Sequence, residues 1–259
     1  MASTPPFTRI GLGCARVGSL TNPSSPAESQ RLIELAFSLG VRLFDTANIY
    51  GQGDSERILG RALAGKRDQA FIVTKIGKRF SAKMRLIRPF KPIVKRLRRP
   101  SPAGDAFVAS QRAANVGFDL DHRTMERDVV AALKRLRIER IDMLLLHSPS
   151  VATVADPAVV ATLAAIRDKG MIAGYGVSAD SADVVAAALA MPGIGMVQAP
   201  YVALPATAPV PLVARGVLRH RGTTPPMEAL AAAVADPRLA AVLVETTSPD
   251  HLRAAAALL

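Results

Sequence analysis

Val41-Arg42-Leu43-Phe44-Asp45-Thr46-Ala47-Asn48-Ile49-Tyr50-Gly51 passes from an apolar run into a carboxylate and then into a loop that carries a tyrosine. A short apolar run that stops on a charge reads as a buried strand whose carboxyl end opens to solvent, because a strand covered on both faces has no room for an ion. The same event recurs twice: Ala70-Phe71-Ile72-Val73 closes on Thr74-Lys75, and the run from Ile141 to Leu146 closes on His147. Three strand ends therefore present ionisable groups where βα loops open onto a shared site.

Outward from these ends, apolar runs alternate with longer helical patterns, which argues for βα units on a parallel sheet. Strands are predicted at 10–12, 43–45, 71–75, 141–146, 174–177, 196–198, 210–213 and 241–244, and eight such runs predict a (β/α)8 TIM barrel. Helix starts fit the rhythm. Ser24 or Ser25 opens a helix that stops at Gly40, Ser55 caps one that stops at Gly65, and Asp156-Pro157 opens one that stops at Gly170. Asp180 or Ser181 opens the next, and Ser248-Pro249-Asp250 opens the last. A chain of 259 residues suits one barrel domain over 1–259, with a long insertion at about 76–122.

Composition narrows the function classes. Apolar residues make up 49% of the chain, enough for a large core, yet no apolar run approaches the ~18 residues of a membrane span. Met1 to Thr8 has no signal-peptide core, so a soluble, cytoplasmic protein is expected. Cys14 is the single cysteine and the four histidines lack metal-ligand spacing, so no disulfide framework and no metal is expected.

The net charge of +12 is concentrated in one place: Lys78 through Arg99 holds ten Lys/Arg and no Asp/Glu. Such a stretch suits a solvated loop, a lid that steers anionic ligands, or a patch that contacts an anionic surface, and the sequence leaves the three open. No nucleic-acid partner is expected, since the stretch lacks the usual binding motifs.

Phe44-Asp45-Thr46-Ala47-Asn48-Ile49-Tyr50-Gly51, then Ser55-Glu56-Arg57-Ile58-Leu59-Gly60, then Thr74-Lys75, then Leu144-Leu145-Leu146-His147 resemble, in order, the signature of the aldo-keto reductase family. The resemblance runs from Ile10 to about Leu252. It implies a (β/α)8 barrel, a catalytic tetrad of Asp45, Tyr50, Lys75 and His147, and hydride transfer from NADPH to an aldehyde or ketone. The residue types suit that chemistry. Tyr50 is the proton donor; a free phenol has a pKa near ~10, and a neighbouring ammonium such as Lys75 favours the phenolate and lowers it. Asp45 holds Lys75 charged, and His147 orients the carbonyl.

The cofactor positions are more diverged. The resemblance implies that Ser178 and Gln198 hold the nicotinamide amide, and that Thr246, Thr247 and Ser248, at a helix amino terminus, together with Arg253, hold the adenosine phosphate. The family's Ser-Asn pair is Ser178-Ala179, Glu245 stands in place of a glycine, and Ala254-Ala255 replace a Glu-Asn pair. An acid at 245 opposes a 2′-phosphate unless it points away. No stacking tyrosine is evident at 210–213, and Tyr201 is the candidate substitute. The chain has no tryptophan, Ala15-Arg16 stands where the family often places a bulky aromatic, and the bottom of the barrel lacks the family's amino-terminal plug, which a partner could cover. An open, cationic mouth suits an anionic or carrier-linked carbonyl compound, with Arg16 and Tyr201 as substrate candidates, although Arg16 serves equally as a solvent-facing residue. Two alternatives stay open: a catalytically weak barrel serving as a binding or regulatory subunit, and a nicotinamide-independent lyase or isomerase that uses the same tetrad.

Overall fold

The computed structural model describes residues 7–22, 24–81 and 116–259. Strands β1 (Ile10–Gly13), β2 (Leu43–Asp45), β3 (Phe71–Ile76), β6 (Ile141–His147), β7 (Ile172–Ser178), β8 (Met196–Pro200), β9 (Leu212–Arg215) and β10 (Ala241–Val244) close a barrel in the order β1-β10-β9-β8-β7-β6-β3-β2. Every pairing around the barrel is parallel, as the βα rhythm predicts. Strands β4 (Lys78–Phe80) and β5 (Val116–Phe118) form an antiparallel pair at the base of the expected insertion. The basic stretch beyond Ser81 lies outside the described residues.

Side chains alternate across a strand, so each barrel strand sends one set inward and one outward. The inward set is a separate apolar cluster of Leu43, Val73, Met143, Leu145, Met196, Val213, Ala241 and Leu243. The outward set, including Phe44, Ile72, Leu144, Leu146, Val197, Leu212 and Val242, joins the larger core beneath the helices. Phe7 and Phe71, both partly buried, pack on the inner cluster from below, their rings 4.8 Å apart.

The helices are α1 (Pro26–Ser38), α2 (Asp54–Ala62), α3 (His122–Leu136), α4 (Val151–Ala155), α5 (Pro157–Asp168), α6 (Ala182–Leu189), α7 (Pro226–Ala235) and α8 (Pro249–Ala256). Ser25 caps α1 in a full capping box with Glu28, Asp156 caps α5, and Ser248 caps α8. Two expectations need correction. Helix α2 starts after Gly53, not Ser55; the Ser55 hydroxyl lies buried inside it, donating to the Cys14 carbonyl at 3.0 Å and bonding Thr46 Oγ1 at 2.8 Å. The strand expected at 210–213 begins two residues later, at Leu212, because Pro211 has no N–H to give the ladder. Between β8 and β9 the chain makes only a 3-10 turn, Tyr201–Ala203, before the loop into Leu212. Among the described residues no helix is long and apolar enough to cross a membrane.

Gly60 shows how tightly α2 sits on α3: a Cβ there would lie 2.1 Å from the Leu136 carbonyl oxygen. Helix propensity alone favours Gly60→Ala by about 1 kcal/mol, but forcing a methyl against backbone typically costs about 1–3 kcal/mol. Gly60→Ala is therefore expected to lower the urea midpoint; a raised midpoint would show that the two helices separate freely.

Candidate active site

Two residues beyond the inner apolar cluster, the strands reach their last inward positions. Leu43 leads to Asp45, Val73 to Lys75, Leu145 to His147, Met196 to Gln198, Val213 to Arg215 and Leu243 to Glu245. Ser178 follows Gly176 on β7, and Gly13 follows Gly11 on β1. The period of two that builds an apolar interior thus delivers a polar ring at the carboxyl ends, where barrel sites form.

The structure brings Asp45, Tyr50, Lys75 and His147 together. Lys75 Nζ donates to both carboxylate oxygens of Asp45, at 2.5 and 2.6 Å, and to the Thr46 carbonyl at 3.0 Å. The pair is buried, with Lys75 1% and Asp45 4% exposed. Burial works against the ammonium, but Asp45, followed by Tyr50, more than offsets it and holds the Lys75 pKa above its ordinary value. Lys75 Nζ lies 5.1 Å from the centroid of the Tyr50 ring, whose edge meets His147 with centroids 5.8 Å apart.

Tyr50 stands on a tight turn. Gly51 and Gly53 take positive φ there, as does Gln52 at 62°. A Cβ at Gly51 would lie 2.7 Å from the Gly18 carbonyl oxygen, so this turn needs glycine for space as well as for φ. Lys75 does pull the phenol's pKa down, as expected, but burial is the larger effect, so the Tyr50 pKa lies above its ordinary value rather than below it. Burial, reinforced by Lys75, Lys78 and Arg215, holds His147 well below its usual range, so the imidazole is neutral near pH 7.

Ser178 and Gln198 extend the network. Ser178 Oγ donates to Gln198 Oε1 at 2.8 Å, and Gln198 Nε2 donates to Asp45 Oδ1 at 2.8 Å. Register places Ser178 directly between His147 and Gln198. At the start of α8, Thr246 Oγ1 accepts from the Ser248 N–H at 3.0 Å, so one of the amides expected to face an anion is already bonded. Arg253 pairs with Asp250 at 2.9 Å on the surface. Thr247 and Arg253 line a cavity of about 470 Å³ between the starts of α1 and α8, with Glu28, Arg31 and the buried, unpartnered hydroxyl of Ser29.

The substrate candidates fare less well. Tyr201 turns its hydroxyl to Asp236 Oδ2 at 3.0 Å, on the loop leading into β10, beneath the Arg238 guanidinium. It is thus engaged in packing and is not the expected substitute for a stacking tyrosine. Arg16 is solvent-exposed. Arg215 went unseen in the sequence because the misplaced start of β9 hid its last inward position; Pro211 was the signal that could have corrected it. Glu245 lies across Gly13, where a Cβ would fall 2.7 Å from its Cγ. It is close enough to Tyr50 to oppose ionisation of the phenol, so its carboxylate leans toward the barrel mouth.

Comparison with known proteins gives the family. The family model described as the aldo/keto reductase family matches residues 9–211. A D-threo-aldose 1-dehydrogenase from a Pseudomonas species is 30% identical over 186 residues, 70% of this chain and 52% of that protein. Pyridoxal 4-dehydrogenase from Microbacterium luteolum is 32% identical over 149 residues, 58% of this chain and 42% of its own length. The chain thus spans about half the length, or less, of these curated relatives. Among solved structures, the glycerol dehydrogenase of Gluconobacter oxydans superposes with a TM-score of 0.72 at 20% identity, covering 100% of this chain and 91% of that one. A Klebsiella pneumoniae aldo-keto reductase in complex with NADPH gives 0.66 at 19% identity, covering 97% and 85%. With the buried Asp45–Lys75 pair beside Tyr50 and His147 at the carboxyl end of a closed parallel barrel, and a family model matching most of its length, the chain belongs to the aldo/keto reductase family.

Proposed function

We propose that the chain is an oxidoreductase that transfers a hydride from NADPH to the carbonyl carbon of an aldehyde or ketone, with Tyr50 as proton donor. The observation that carries this reading is the convergence of a protonated phenol, a buried ammonium and a neutral imidazole in one strand-end cluster. As a carbonyl carbon accepts hydride, its oxygen gains negative charge and needs a proton. Tyr50 holds one, and the phenolate left behind is stabilised by Lys75, whose charge Asp45 keeps in place. His147, neutral and with Nδ1 unpartnered, is suited to orient the carbonyl oxygen by a hydrogen bond without adding a competing charge.

Bound NADPH supplies the hydride. The residues present suit it at both ends. Gln198 and Ser178 offer buried amide and hydroxyl groups for a carboxamide, and the cavity with Arg31, Arg253 and the unpartnered Ser29 hydroxyl suits the phosphorylated adenosine end. Glu245 leans over Gly13 and is not among the residues lining that cavity, which supports a phosphate there despite an acid at this position. The aldose and pyridoxal dehydrogenases among the relatives, named for reactions of carbonyl compounds, and the NADPH-bound structural neighbour support the same reading.

Titration of the protein with NADPH, followed by nucleotide fluorescence, is expected to show saturable binding; no binding would favour a barrel that serves as a binding or regulatory subunit, or a nicotinamide-independent lyase or isomerase. Tyr50→Phe is expected to lower turnover of an aldehyde by roughly 10²–10⁴-fold with NADPH affinity retained. Near-parental turnover in that variant would remove Tyr50 from the mechanism.

Lys75→Met leaves the Asp45 carboxylate buried without its counter-ion, a loss that typically costs about 3–5 kcal/mol. Turnover and the denaturant midpoint should fall together, and a variant with both intact would refute the pairing.

The pH dependence follows from the two aromatic groups. Tyr50 must carry its proton to donate it, and its raised pKa keeps it protonated through neutral pH, so kcat/KM for reduction should decline only in the alkaline range. His147 should add no limb near pH ~6.5. Its folded-state pKa is depressed, so the unfolded chain takes up a proton below pH ~6.5 that the folded chain refuses, and stability is lost as pH falls through that window. Between pH 7 and 5 the melting temperature of His147→Gln should therefore fall less than that of the parent; equal slopes would contradict a buried neutral imidazole.

A further inference from the structure

The polar ring at the barrel mouth includes a cation that the tetrad chemistry does not use, and the hairpin beside it adds a second. Arg215 occupies the last inward position of β9. Its guanidinium donates to the Ala179 carbonyl at 2.7 Å and pairs with Asp180, while its Nε lies buried with no partner. Lys78 opens hairpin strand β4 on the other side of His147, and its Nζ donates to Ser148 Oγ at 2.7 Å. Both cations are held in place. The Lys78 carbonyl accepts from Asn48 Nδ2 at 3.0 Å, and Ser148, the residue after His147, takes a left-handed φ of 53° with its N–H on the Ser178 carbonyl at 2.9 Å. A serine in that region carries strain, which concentrates where a side chain must be aimed.

Among the described residues the charges around His147 do not balance. Lys75, Lys78 and Arg215 face it, against Asp45, committed to Lys75, and Asp180, committed to Arg215. Glu245 belongs to the opposite wall, over Gly13, with Arg219 at 3.9 Å. Among the described residues, one positive charge is left over beside a buried unpartnered nitrogen that the tetrad chemistry does not use, Nε of Arg215. A buried donor without a partner and an uncompensated cation both call for an acceptor with negative charge. Lys78 reports the same excess: burial first, then Arg215 and Lys75, press its pKa below the ordinary value, and Asp180 only partly restores it.

We propose that Lys78 and Arg215 form an anion-holding clamp on either side of His147, and that the carbonyl substrate carries a carboxylate or phosphate that this clamp binds. The proposal rests on the oxidoreductase reading for the reacting carbonyl, but the clamp itself rests on the geometry above. An anion here would meet Lys78 as a point charge and Arg215 as a directional donor, an arrangement that selects for anionic over neutral carbonyl compounds. A charge-assisted hydrogen bond typically changes affinity by about 10- to 100-fold.

The test compares 4-oxobutanoate with its methyl ester as substrates for the parent, Lys78→Met and Arg215→Gln, and titrates glutarate, which cannot be reduced, into all three by calorimetry. The parent should favour the oxo acid over the ester by about 10-fold or more in kcat/KM, a ratio that should fall to within about 3-fold of unity in both variants. Glutarate should bind the parent and lose about 10-fold or more in affinity in each variant. Because glutarate binding needs no turnover, the clamp stands or falls even if no aldehyde is reduced. Lys78 is only half-buried, so Lys78→Met decides the matter if Arg215→Gln does not fold. Equal glutarate affinity in parent and Lys78→Met, a parental ratio near one, or a loss of NADPH affinity with an unchanged ratio would each overturn the proposal, the last by assigning the cations to the cofactor's phosphates.

Discussion

An ammonium that is 1% exposed inside a barrel costs several kcal/mol in desolvation unless a counter-ion and hydrogen-bond acceptors replace its water. Lys75 meets that demand with both oxygens of Asp45 and the carbonyl of Thr46, and much of the barrel mouth is arranged by those three contacts. Asp45, held by Lys75, accepts in turn from Gln198, and Gln198 accepts from Ser178, so the orientation of one buried cation spreads across four strands. The same cation sets the electrostatics of its neighbours: it lowers the basicity of His147 and opposes the rise of the Tyr50 pKa that burial imposes.

A second buried network supports the first from outside the barrel. Glu56 on α2, fully buried, accepts from Thr74 on β3 at 2.8 Å and from Arg135 on α3 at 2.5 Å. Its neighbour Ser55 ties the same helix to the Cys14 carbonyl and to Thr46. Thr46 and Thr74 flank Asp45 and Lys75 in the chain, so the Ser55-Glu56 dipeptide locks both strand ends that carry the ion pair. Residues that look like a helix start thus act as the bracket of the site, and the bare backbone of Gly60 lets α3 come close enough for Arg135 to reach Glu56.

The cationic side of the mouth follows the same logic of compensation with one element missing. Asp45 answers Lys75 and Asp180 answers Arg215, but among the described residues Lys78 has only the hydroxyl of Ser148. A neutral His147 between them keeps the excess from growing and preserves a hydrogen-bonding group where a reacting oxygen would sit. Chemistry and charge selection therefore share one imidazole.

The sequence by itself determined the barrel and the residues gathered at its strand ends, because both depend on local alternation: apolar runs of strand length that stop on Asp45, Lys75 and His147, and helices opened by Ser24 or Ser25, Asp156 and Ser248. Two strand boundaries, those of β2 and β10, fall where the apolar pattern ends. The pattern failed at β9, where Val210 looked like strand and Pro211 forbade it, and with that shift Arg215 went unseen as a member of the ring. Tertiary structure alone decided what depends on contacts between distant segments: that Ser55 bonds Cys14 rather than capping its helix, that Tyr201 is bound to Asp236, that Phe7 packs on the inner cluster, and that Glu245 leans over Gly13. It also decided the net sign of the Tyr50 shift. A neighbouring lysine can be inferred from spacing, but the depth of burial that outweighs it comes only from the packing of eight strands around one site.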